Sequence, residues 1–359
     1  MTRAVVAFGT DLALEVREIE PSPMGDEDVR VRMVAAGICH SDLSMTNGTL
    51  PSEFPVVLGH EGAGEIVEVG AAVRGLAPGQ HVVLNWSPPC RTCYFCQHGE
   101  PWLCEQNAGV ASRDRGARLD GQALHATLGL GAFAEEVVLP RSAVIPVPDE
   151  LPLAEAALLG CALLTGVGAV RRTAGVRAGE SVAVIGLGGV GLSALAGARL
   201  AGAAPLIAID RSPEKESLAR AEGADEFLVS SDELARELRA LTGGRGPDHV
   251  FDCVGSAATI RTAWSATRRG GATTVVGVGP RTESVSFNPL EIFHFARRLT
   301  SSVFGSSDPE HDLPELVEAI LGGALDPASL VTHRCGLDGV AEAFARMERG
   351  VGGRTLIVF

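Results

Sequence analysis

The sequence has no apolar run of the roughly 18–20 uncharged residues that a membrane-spanning helix needs. The opening MTRAVVAFGTDLALEVREIE meets charges too early to serve as the apolar core of a secretory leader, so no leader is expected. Positive charge is scarce: 30 Lys+Arg stand against 44 Asp+Glu, for a formal net charge of −14. A surface of that sign repels phosphate backbones, and no basic cluster offers a local exception, so neither nucleic acid nor a membrane is an expected partner. Lysine occurs once, as Lys215, every other basic residue being arginine; with 44 Gly this points to GC-rich coding rather than to function. Internal repeats and low-complexity tracts are also missing. What is there is ordinary globular composition, 46% hydrophobic and 21% charged over 359 residues. That length suits two domains of about 100–200 residues each in a soluble, cytoplasmic protein.

The eight cysteines are unevenly placed. Cys90, Cys93, Cys96 and Cys104 fall within 15 residues, where even scatter of eight would put fewer than one. With no secretion signal expected, such a cluster reads as a metal site rather than a disulfide framework. Four thiolates close a zinc tetrahedron and leave no open position, so this site would be structural; the rival reading is a redox pair or free thiols. A second set is dispersed: Cys39 in GICHSD, His60 with Glu61 in GHEG, and Cys161 in GCALLT. Two sulfurs and one imidazole leave a zinc position open, as catalysis requires. Taken singly, each of these residues also fits ordinary core packing. Cys253 and Cys335 are expected to pack inertly, and His81, His98 and His125 to be structural or solvated.

The first 150 residues read as β-rich, with strands at 29–34, 65–69 and 81–84 separated by Gly and Pro turns. From about residue 160 strands alternate with helices, at 181–185, 206–210, 226–229, 249–254 and 273–276. Ser230 and Glu233 have capping-box spacing ahead of a helix through Leu241. This alternation predicts a doubly wound parallel sheet. Further helices are expected at 313–321 and 339–349, and a terminal strand at 355–359 that returns to the N-terminal sheet.

Gly186-Leu-Gly-Gly-Val-Gly191 matches G-x-G-x-x-G between a buried strand and a helix, with Asp210 ending the next strand. Gly186, Gly188, Gly189, Val190 and Gly191 would carry a pyrophosphate at the helix N-terminus. Asp210 would hold the ribose hydroxyls and repel a 2′-phosphate, favouring NAD. Arg211 leaves NADP open, since an arginine there can welcome that phosphate.

Together GICHSD, GHEGAGEIVEVG, CRTCYFCQHGEPWLC, GCALLTGVGAV, VAVIGLGGVGLSAL and GGRTLIVF resemble the zinc-dependent medium-chain alcohol dehydrogenases, close to the liver-type and class III-like branch, over the full length. The resemblance implies an α/β fold. A GroES-like β-rich catalytic domain (1–162, with a structural-zinc lobe at about 85–110) would be followed by a Rossmann coenzyme domain (163–303), with residues 304–359 returning to the first. It implies an NAD-linked, homodimeric or homotetrameric enzyme acting on a small primary alcohol or its aldehyde, with two zinc ions per chain. Cys39, His60 and Cys161 would hold the catalytic zinc, with Asp42 orienting the His60 ring and Glu61 coordinating transiently. Cys90, Cys93, Cys96 and Cys104 match the structural zinc. Ser41 would relay the alcohol proton. Thr165 would lie at the nicotinamide side, Lys215 at the adenosine ribose, and His40 and Arg354 at the pyrophosphate, with Val276 and Val278 as further cofactor-binding residues. For Lys215 and Arg354 the alternative is an ordinary solvated charge. Trp86, Leu128, Val278 and Val303 would line the substrate pocket with Ser41, although Trp86 also fits a packing role. Strands near 273–279 and 300–305 would form the subunit interface.

Two departures stand out. Many members carry a histidine five residues after the first zinc cysteine to pass the proton to water; here that residue is Ser44. Relatives that act on a glutathione adduct carry charged groups where this chain has Leu50 and Ala108. Within the enzyme class the alternative is a thiol-adduct or NADP-linked dehydrogenase; outside it, a non-catalytic zinc-binding module.

Overall fold

The computed structural model describes residues 1–107 and 112–359. It divides into two compact units, Met1–Cys161 with Asp308–Arg349 and Arg354–Phe359, and Ala162–Ser307 with Gly350–Gly353.

The first unit holds two sheets. In the larger, Asp28–Ile38 lies between Gly62–Val69 and the C-terminal strand Arg354–Val358. Alternation explains the first half of Asp28–Ile38. Val29, Val31 and Met33 enter the core, while Arg30 and Arg32 face out and pair with Glu68 and Glu65 across the ladder. Past Val34 the run Ala-Ala-Gly-Ile is buried throughout. The C-terminal strand pairs antiparallel there, Thr355 opposite Ile38 and Leu356 opposite Gly37, as its expected return to the N-terminal sheet requires. Leu58, Ile66, Leu84, Leu124, Phe133 and Leu139 form the centre of this unit's core.

The second unit is a six-stranded parallel sheet in the spatial order Glu226–Val229, Leu206–Asp210, Val182–Ile185, His249–Asp252, Ala272–Val275, Arg298–Ser301. Numbered along the chain this is 3-2-1-4-5-6, the dinucleotide-binding order, whose direction reverses beside the first strand. Val182–Ile185 is wholly buried, which accounts for its unbroken apolar sequence. The expected capping box is not formed. The helix Leu234–Leu241 starts with Glu233 at its cap, and Ser231, not Ser230, accepts the Glu233 backbone N–H at 3.2 Å. Burial of Leu234 and Leu238 sets that start. Among the described residues, no single helix is long and apolar enough to cross a membrane.

Candidate functional site

Cys39, His60, Glu61 and Cys161 converge in the first unit, all buried, with their ligand atoms within 4.8 Å of one another. Cys39 follows the strand Asp28–Ile38 and caps the short helix His40–Thr46. His60 and Glu61 lead into the antiparallel neighbour Gly62–Val69, and Cys161 follows the turn Ala157–Gly160. One carboxylate fixes two of these segments. Asp42 Oδ2 accepts the Cys39 backbone N–H at 3.1 Å, and Oδ1 accepts the Gly59 N–H at 3.2 Å and lies 2.9 Å from His60 Nδ1. With Nδ1–H given to Asp42, Nε2 is the nitrogen left to face a metal, which would take that position by displacing its proton.

Burial opposes a charge on His60, but the pull of Asp42, and then of Cys39, carries its pKa up to about 10. A hydrogen bond from Cys161 outweighs burial at Cys39 and, with His60 nearby, holds that thiol well below its ordinary range. Thiolate sulfur and imidazole nitrogen are the donors that zinc takes. Ser41 Oγ lies 3.9 Å from Cys39 Sγ; His40 is exposed and Ser44 half-buried on the same turn.

Glu61 is ion-paired with Arg354, and both are buried. The register that sets Thr355 opposite Ile38 brings Arg354 to this point. Gly37 leaves room for the pair, since a Cβ there would stand 2.9 Å from the Glu61 carboxyl carbon. The residue whose resemblance suggests a pyrophosphate contact is therefore also the charge partner of Glu61, which no local sequence pattern signals.

The four lobe cysteines likewise lie within 4.8 Å of one another and form no disulfide. Cys90 and Cys96 Sγ are 4.0 Å apart, close to the roughly 3.8 Å edge of a tetrahedron with zinc–sulfur bonds of about 2.3 Å. Cys90 Sγ accepts the Cys93 backbone N–H, and Cys104 Sγ that of Cys90, both at 3.3 Å. Hydrogen bonds from Thr92, then Cys93, lower the Cys90 thiol to about 6, while burial and the neighbouring Cys93 raise Cys96 to about 12. Four adjacent thiols resist ionising together, and a divalent cation removes that conflict. Arg91, between two of them, reaches Asp308 at 2.5 Å and Glu310 at 2.6 Å, anchoring the lobe to the helix Pro309–Leu321. Sequence reading missed this anchor.

In the second unit the Gly-rich turn leaves the first strand. Gly188 caps the helix Gly189–Leu200 without a side-chain hydrogen bond, and a Cβ built on Gly188 meets nothing within 4 Å. A Cβ on Gly191 would collide with the Gly186 carbonyl. The turn thus offers open space at the helix N-terminus, which suits a pyrophosphate. Asp210 Oδ2 accepts the Leu187 N–H at 2.7 Å and Oδ1 the Ser212 N–H at 2.9 Å, placing this acid beside the turn. Thr165 is buried in the helix Ala162–Gly168, and Val276 is half-buried. Asp252, missed from sequence, ends the fourth strand as Asp210 ends the second; it accepts the Gly255 N–H at 2.9 Å, and burial raises its pKa. The acid closing His249–Asp252 was the available signal. Lys215 is buried, so it is no solvated helix-surface residue.

Of the expected pocket residues, Trp86 and Leu128 belong to the first unit, and the exposed Val278 and Val303 to the second. Trp86 packs against the first unit's core, and Leu128 has φ +48°. Leu50 is half-buried, and Ala108 lies outside the described residues. His81 and His125 face the exposed carboxylates of Asp149 and Glu53, and the exposed His98 lies against the Tyr94 carbonyl. Burial pushes the Cys253 and Cys335 thiols up, away from the reactive thiolate form.

Residues 25–149 match the family described as alcohol dehydrogenase GroES-like domain, and residues 189–322 the family described as zinc-binding dehydrogenase. The S-(hydroxymethyl)glutathione dehydrogenase of Photobacterium damsela subsp. piscicida is 36% identical across 99% of both chains. The chain belongs to the zinc-dependent alcohol dehydrogenase family. The structure of an alcohol dehydrogenase zinc-binding domain protein from Burkholderia ambifaria is 32% identical with TM-score 0.92, over 100% of this chain and 98% of that one. Benzyl alcohol dehydrogenase from Acinetobacter calcoaceticus is 26% identical with TM-score 0.93, over 100% and 99%. The two units are thus the GroES-like and Rossmann-type domains of a zinc-dependent alcohol dehydrogenase-type oxidoreductase acting on small molecules.

Proposed function

We propose that this dehydrogenase oxidises primary alcohols to aldehydes, and reduces them in reverse, with NAD, using one catalytic and one structural zinc per chain. The observation that carries the reading is the buried convergence of Cys39, His60 and Cys161, oriented by Asp42.

When bound, zinc supplies Lewis acidity at the substrate oxygen and the dinucleotide supplies the hydride acceptor. Cys39, Cys161 and His60 Nε2 are the donors that would hold the metal, and three donors would leave it a position for substrate. Asp42 keeps the His60 proton on Nδ1. Arg354 neutralises Glu61, so that this carboxylate can stand beside the ligands without opposing charge on the substrate oxygen. Ser41 accepts the substrate hydroxyl proton while passing on its own; lacking an accessible pKa, serine acts as a relay only. Onward transfer to solvent runs past Ser44 through water. Gly186 to Gly191 would seat the pyrophosphate, Asp210 and Lys215 would take the adenosine ribose and Thr165 the nicotinamide side, with His40, Val276, Val278 and Arg354 the further cofactor contacts that the resemblance implies.

By its bulk Trp86 would favour primary over bulky secondary alcohols, Leu128, Val278 and Val303 being the other substrate-pocket residues that the resemblance implies. A glutathione adduct is the second reading, supported by the 36% identical relative's name and opposed by apolar Leu50 and Ala108. The enzyme is proposed to be a cytoplasmic homodimer or homotetramer, supported by the fully exposed edge strand Arg298–Ser301. The test is zinc analysis with an NAD- and NADP-coupled screen of primary, secondary and aromatic alcohols and the S-hydroxymethyl adduct of glutathione. Two zincs and NAD-linked turnover of primary alcohols are expected. Turnover confined to bulky secondary alcohols, to NADP or to the adduct would overturn the reading.

A further inference from the structure

Lys215 is the only lysine among 30 basic residues. It is 6% exposed, at the start of the helical segment that follows the second strand of the second unit. Its Nζ donates to the Leu187 carbonyl, inside the Gly-rich turn, at 3.2 Å, and also to the Gly352 carbonyl. That second acceptor lies 137 residues further on, in the segment Gly350–Gly353, which clusters with the second unit while the chain on either side belongs to the first. Arg211 rests against the same segment, one guanidinium nitrogen 3.3 Å from where a Cβ on Gly350 would stand.

A buried cation is tolerated where its protons find acceptors. An ammonium is compact and directs three donors at separate oxygens, which suits two carbonyls from distant segments; the planar fork of arginine suits a carboxylate instead. In a chain that uses arginine everywhere else, this one lysine sits where that difference matters. Two residues past Gly352 comes Arg354, the partner of Glu61.

We propose that Lys215 is a positioning residue. It fastens Gly350–Gly353 to the Gly-rich turn and so sets the path of the chain into Arg354 and its pairing with Glu61. Two of the three ammonium donors make the fastening, and the third serves the cofactor ribose. The catalytic consequence rests on the metal-site reading above; the fastening does not.

The test is hydrogen exchange by mass spectrometry on the zinc-loaded, cofactor-free enzyme, comparing wild type with Lys215→Met and Lys215→Arg. In Lys215→Met, amides of residues 349–355 should exchange about tenfold faster or more, as for a local opening made easier. Lys215→Arg should restore part of the protection, and residues 90–104 should be unaffected. At saturating NAD, kcat should fall severalfold in Lys215→Met, beyond any rise in KM for NAD. Unchanged exchange at 349–355 with only KM raised would overturn the proposal and leave a plain ribose contact. Faster exchange with kcat unchanged would overturn the coupling to Arg354. Should Lys215→Met not fold, Lys215→Gln carries the same readings. Loss of the metal-site reading would show separately, as wild-type enzyme lacking the second zinc, whatever the exchange result.

Discussion

Two candidate metal-binding clusters share the first unit and are built in opposite ways. The lobe gathers four cysteines from 15 consecutive residues, three of them only half-buried, and backbone N–H groups do much of the orienting. The other set draws Cys39, His60 and Cys161 from segments up to 122 residues apart, buries all of them, and surrounds them with Asp42, Glu61 and Arg354. The lobe is specified locally and has only to hold together. The dispersed site needs the register of the larger sheet, and on the proposed reading its buried charges would adjust a metal with one position left open. A closed site lends stability, whereas an open one lends reactivity.

The difference can be broken from either side. Cys161→Ser or His60→Ala should cut turnover by about 10⁴-fold, the equivalent of several kcal/mol of Lewis-acid stabilisation. Metal analysis should find the lobe zinc retained. Cys104→Ser should do the reverse, emptying the lobe and lowering Tm by roughly 10 °C in a calorimetric scan. Cobalt substituted at the dispersed site should keep its absorption spectrum in that variant. If either variant lost both metals, the two sites would not be independent. Asp42→Asn sharpens the comparison, because it removes an orienting group the lobe does not have. Competition with a chelator should show metal affinity at the dispersed site down by about 10–100-fold, with the lobe unaffected. The smallest effect is expected of Ser44→His, which adds a group with a pKa of about 6.5 to the proton path. Its pH–rate profile should shift near that value, and an unchanged profile would show that this position does not limit proton exit.

Much of this was legible along the chain. The lobe announced itself through spacing, the Gly-rich turn through its strand and helix, and the parallel strands through unbroken apolar runs such as Val182–Ile185. The dispersed ligands were ambiguous one by one, since a buried cysteine or histidine is common in cores; only the family resemblance joined them. Pairings that depend on strand register or on a distant segment left no local trace. Arg354 on Glu61, Arg91 on Asp308 and Lys215 on Gly352 are of that kind. The displaced cap at Glu233 shows a weaker local signal yielding to the burial of Leu234 and Leu238.

The most direct measurement is anomalous diffraction at the zinc edge from crystals of the zinc-loaded enzyme. One peak should lie about 2.3 Å from the sulfurs of Cys39 and Cys161 and about 2.0–2.1 Å from His60 Nε2, and a second should lie among the four lobe sulfurs. A lobe peak alone, with the three dispersed side chains turned away from one another, would contradict the account.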